Sequence, residues 1–140
     1  MPRNAPYGYE RVVIPFDLAL TGVLNTAGQM NVSLSGILGF SCTLERVTLL
    51  TSVVGTGAGA SQVFNVRKGN ATGSIAGTVT ATLANQGTIA VNTVGTVTAA
   101  NAFFTDADTL TVEKAAGGTV FSAGGCTLFL TFRQLSQRAV

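Results

Sequence analysis

The feature that most constrains this chain is strict alternation of apolar and polar residues. Near its end, Cys126, Leu128, Leu130 and Phe132 alternate with Thr127, Phe129, Thr131 and Arg133. Further back, Val79, Ala81 and Leu83 alternate with Thr78, Thr80 and Thr82. A period of two puts one set of side chains on each face of a pleated strand, which suits an antiparallel sheet with one buried face.

Similar signals run along the chain. Arg11 to Leu20 is apolar, with Pro15 expected to split it into two short strands or leave one bent edge strand. Gly22 to Gln29 reads as a loop, followed by a half-buried strand at Val32 and Leu34. In Cys42 to Val54, Cys42 and Leu44 share a face with Val47 and Leu49 only after a register step. The glycine-rich run at 55–59 reads as a strand connection, and Gln62 to Lys68 as the next strand. Asn85, Gln86 and Gly87 break the alternation of 75–98, with Ile89 and Val91 expected on strand beyond it. Asn101 to Asp108 is a loop whose Phe103 and Phe104 are both expected to bury, and Thr109 to Glu113 is a strand with Leu110 and Val112 inward. Only Ala99 to Phe104 is suited to a helical turn.

Roughly eight or nine short strands with turns every eight to twelve residues make a sandwich or barrel. The mixture of long and short loops favours a jelly roll. The fold class is therefore all-β, an antiparallel β-sandwich of jelly-roll type. Pro2 and Pro6 make residues 1–11 an extended N-terminal arm; 12–135 form the single sandwich domain and 136–140 a tail.

A chain of 140 residues closes one core without staples. Only 10% of it is charged, against about 25% in an ordinary soluble domain, so other subunits or a partner are expected to cover much of the surface. No stretch reaches the roughly 20 apolar residues of a membrane-spanning helix; even Leu44 to Val54 is broken by Glu45, Arg46, Thr48 and Thr51. The aromatic girdles of a membrane barrel are missing too, with no Trp and two Tyr. No apolar core follows Arg3, so no secretory signal is expected. The net charge of +2 has no dense basic patch behind it, which argues against nucleic acid as a partner. Arg3, Arg11, Arg133 and Arg138 read as solvated or interface residues.

Catalytic chemistry has little to work with. His is absent, removing the commonest general base and activator of Ser or Cys nucleophiles. Without His, the two cysteines cannot complete a zinc site; Cys42 and Cys126 are expected to be buried, reduced thiols, with a disulfide between neighbouring strands as the lesser reading. Asp106 and Asp108 read as turn caps, with weak calcium binding as the lesser reading. Glu45-Arg46 and Arg67-Lys68 could pair across strands as surface charges. The expectation is no enzyme, no cofactor, no metal and no small-molecule substrate.

The run Phe103-Phe-Thr-Asp-Ala-Asp-Thr-Leu-Thr-Val-Glu-Lys, followed by Cys126-Thr-Leu-Phe-Leu-Thr-Phe-Arg, resembles the end of small jelly-roll capsid decoration (cement) proteins of tailed bacteriophages. Val47-Thr-Leu-Leu-Thr-Ser-Val-Val-Gly-Thr and Val63-Phe-Asn-Val-Arg fit the same pattern, so the likeness covers 44–133. One departure is Ala107, where the family carries Gly before the turn Asp. The resemblance implies a homotrimer on the virion surface, assembled in the host cytoplasm, with the major capsid protein as partner. The arm would then be a clamp, with Arg3, Asn4, Tyr7, Tyr9 and Arg11 as candidate contacts, Tyr and Arg being enriched at interfaces. A receptor- or glycan-binding module of a tail fibre or spike is the alternative; a hydrolase on the same scaffold is a more distant one.

Overall fold

The computed structural model describes residues 9–21, 25–33, 41–70, 72–115 and 118–135. In chain order the strands are β1 (Tyr9–Ala19), β2 (Asn25–Ser33), β3 (Cys42–Thr56), β4 (Ser61–Lys68), β5 (Ile75–Thr82), β6 (Asn92–Val94), β7 (Thr96–Val97), β8 (Phe103–Phe104), β9 (Thr109–Lys114) and β10 (Ala123–Leu135). A one-turn helix α1 (Leu83–Gln86) follows β5, and a 3-10 turn spans Ala99–Asn101.

The alternation does what its period demands. Leu128, Leu130 and Phe132 of β10 are fully buried, as are Val47 and Leu49 of β3 and Leu110 and Val112 of β9. They meet Phe64 and Val66 of β4 and Val79 and Ala81 of β5 between two sheets. One sheet runs β1-β10-β3-β6 with β8 also on β3; the other runs β2-β9-β4-β5-β7. The main strands thus follow the double Greek-key order of a jelly roll. The Phe104 ring meets Phe132 edge-on, centroids 5.7 Å apart, and closes one end of the core.

The register step expected in β3 is a β-bulge. Phe132 pairs with Leu44 and Thr131 with Arg46, so Glu45 is the extra residue. Pro15 does not split β1, which pairs continuously with β10 from Tyr9 to Ala19. As an edge strand, β1 tolerates a residue with no N–H to give. The same pairing places Tyr9 and Arg11 within the sheet, although both were expected on the arm.

Three further expectations are corrected. Asn25 to Gln29 is part of β2 rather than a loop, held by pairing with β9 across an irregular register. The segment after β5 turns helical because Thr82 and Asn85 cap each other's backbone N–H groups, a reciprocal capping box. Ile89 consequently lies outside any strand and is exposed. Phe103 is exposed while Phe104 is buried, because neighbours on a strand face opposite ways. Leu34 lies outside the described residues.

Between β6 and β7 the chain passes from one sheet to the other at Gly95, whose N–H donates to the Val47 carbonyl at 2.8 Å. A Cβ there would stand 2.2 Å from the Thr78 carbonyl oxygen. Only glycine allows so close an approach.

Candidate functional site

The bulge in β3 turns both Glu45 and Arg46 to the outer face of the β1-β10-β3-β6 sheet. Next to them, β1 and β10 place Arg11 directly opposite Arg133. Like charges so paired repel, and Glu45 relieves them. Its carboxylate accepts from Arg11 Nε at 2.7 Å and lies 3.6 Å from Arg133 Nε. The hydrogen bond from Arg11, then the charges of Arg11, Arg133 and Arg46, hold the Glu45 carboxyl below its usual range, against an opposing desolvation. The same hydrogen bond raises Arg11. Arg46 is exposed and makes no ion pair among the described residues. Arg11, Glu45, Arg46 and Thr131 line an open hollow of about 400 Å³. Among the described side chains, three guanidiniums stand around one carboxylate and make this corner positive, and guanidinium forks suit carboxylate partners.

An apolar band adjoins this corner. Pro15, Phe129, Thr48 and Val94 stand in one row across β1, β10, β3 and β6. Val13 and Val94 are 51% and 60% exposed. On the opposite sheet the charges are spent internally. Both Glu113 oxygens accept from Arg67 Nε at 3.0 Å, and one accepts from Asn65 Nδ2 at 3.0 Å. Arg67 Nη1 also donates to the Gly73 carbonyl at 2.7 Å.

Of the residues expected to make contacts, Arg11 stands in this corner. Tyr9 has its backbone paired with Leu135 in the sheet. Arg3, Asn4 and Tyr7 lie outside the described residues. Sequence reasoning read Glu45-Arg46 as ordinary surface charges, and did not place Arg46 or Arg133 beside Arg11. The one local signal was the break in alternation between Leu44 and Val47, because a bulge re-aims the side chains at it.

The other candidate positions settle into structural roles. Asp108 Oδ2 accepts from the Thr105 N–H at 2.8 Å, capping the turn before β9, and lies 3.7 Å from Lys68 Nζ. The glycine-rich run ends β3 and turns into β4, with Ala60 N donating to Gly57 O. Cys42 and Cys126 are buried free thiols. Cys126 pairs with Thr51, far along β3 from Cys42 and roughly 30 Å away at the rise of an extended strand, so no disulfide can join them.

No family model matches the chain, and no curated protein is similar to it in sequence. Its fold does have neighbours. The chain is similar to one from the "Cyanophage Pam1 capsid asymmetric unit", at 18% identity and a TM-score of 0.52, over 95% of this chain and 91% of that one. It is also similar to chains of desmodium yellow mottle tymovirus (13% identity, TM-score 0.35, 100% of this chain and 95% of that one) and turnip yellow mosaic virus (12%, 0.32, 100% and 88%). All three neighbours are chains of viruses, the first of them from a capsid. The cyanophage likeness establishes a shared fold across nearly the whole of both chains.

Proposed function

We propose that this protein is a structural virion component that binds the outside of an icosahedral phage head and stabilises it by bridging subunits of the major capsid protein. The observation that carries this reading is the end-to-end match with a chain of the cyanophage capsid asymmetric unit. The likeness spans 95% of this chain and 91% of that one. The composition supports the reading in kind, because only 10% of the residues are charged.

In this reading the protein is a homotrimer on the virion surface, assembled in the host cytoplasm. The stretch leading into β1, together with the start of that strand, acts as a clamp, with Arg3, Asn4 and Tyr7 before the strand and Tyr9 and Arg11 on it as its contacts. Association with purified expanded heads that lack the protein tests it directly. The bound protein is expected to co-sediment with the heads and raise the temperature at which they release DNA, and sedimentation equilibrium is expected to give a trimer. A monomer that never co-sediments would refute the reading.

A further inference from the structure

We infer that the outer face of the β1-β10-β3-β6 sheet is the surface that docks on the capsid shell, and that it meets a shell patch with carboxylates beside an apolar centre. This rests on the function proposed above and adds which surface binds and what chemistry receives it.

The occupant follows from charge. Among the described residues the corner carries Arg11, Arg46 and Arg133 around the carboxylate of Glu45. A second copy of this chain offers little to match it. Among the described carboxylates, Glu113 is buried against Arg67, Asp108 caps its own turn, and Asp17 accepts from Thr127 on this same face. Asp106 alone remains exposed elsewhere. Among the described residues, then, the charge complement to this corner is better supplied by a different molecule. Nucleic acid would satisfy the arginines but leave Val13, Pro15 and Val94 in water. A protein patch covers both, since interfaces combine an apolar centre with charges that set register and encounter rate. On the opposite sheet, Arg67 and Glu113 are already consumed by each other.

The test compares the full-length protein with Arg46→Glu, Val94→Asp and, as a control on the other sheet, Thr80→Glu. Each is checked for native circular dichroism and for wild-type oligomeric state before it is titrated onto expanded heads. Arg46→Glu and Val94→Asp are expected to bind about tenfold more weakly or worse, with Thr80→Glu unchanged and wild-type binding weakening as salt rises. If wild type binds and both face variants bind within twofold of it, the inference fails while the function stands. If wild type does not bind heads, both fail. A change of oligomeric state in the folded face variants would make this face a contact between copies, and preferential retention of wild type on duplex DNA would make it a nucleic-acid surface; either result overturns the inference.

Discussion

Lys114 Nζ donates to the Thr21 carbonyl at 2.8 Å and to the Ala19 carbonyl at 3.2 Å, reaching from β9 to the end of β1 and the chain just after it. Lys114 pairs with Phe64, so its stem lies on the inner face, and burial draws its pKa below the ordinary lysine range. The ammonium thereby ties one sheet to the end of the other. Lys114→Met keeps the apolar stem but strands two carbonyl acceptors. A loss of about 2 kcal/mol in urea unfolding is expected, the scale of buried acceptors left unmade. An unchanged midpoint and slope would show that water replaces the ammonium at no cost.

The thiols give a pH signature. Burial pushes Cys42 up to about 11 and Cys126 to about 12, from an ordinary 9.0. Between pH 9 and 11 the native chain therefore keeps protons that the unfolded chain gives up. Stability from these groups is complete below pH 9 and falls as pH rises, by about 1.4 kcal/mol per thiol per pH unit at most. Lys114 acts oppositely, its lowered pKa adding stability as pH rises towards the unfolded lysine value. Comparing wild type with the Cys42→Ala/Cys126→Ala variant isolates the thiols. The gap between their unfolding free energies should shrink above pH 9, and neither thiol should react with a disulfide reagent at pH 8 until the protein is unfolded.

Gly95 is a position where shape outweighs composition. Alanine there would drive its Cβ into the Thr78 carbonyl, and backbone cannot rotate away as a side chain can. Gly95→Ala is expected to cost about 3 kcal/mol, at the upper end of overpacking. A thermal midpoint within two degrees or so of wild type would contradict that geometry.

Arg67 and Glu113 form a nearly buried fork, with side chains 21% and 11% exposed. Removing one partner leaves the other charge stranded, so Arg67→Ala should destabilise by about 3 kcal/mol. Lysine should recover only part of this, because an ammonium cannot meet Glu113 and the Gly73 carbonyl in one planar fork. Full recovery in Arg67→Lys would show that charge alone matters.

What the sequence made legible was whatever a short window decides. The alternation of β10 named its buried residues, and the interrupted spacing placed a register step between Leu44 and Val47, which the pairing with β10 resolves to Glu45. The adjacency of Phe103 and Phe104 already implied that one ring must face outward, although both were expected to bury. β2 was hidden because Asn25, Gly28 and Gln29 have little strand preference of their own, and pairing with β9 overrides it. α1 was hidden because a single turn has no periodicity, leaving only Thr82 and Asn85 as a signal. The arginine corner needs three strands distant in sequence, and no local pattern encodes that Arg11, Arg46 and Arg133 meet.

The strand order also bears on how the molecule is made. β10 lies between β1 and β3, yet the ribosome produces it after both. Until it emerges, the nascent chain carries two long strands with vacant hydrogen-bonding edges, each a template for the wrong neighbour. Closure must therefore be a late, slow event dominated by distant pairings, and during synthesis the growing chain is most exposed to aggregation just before that strand arrives.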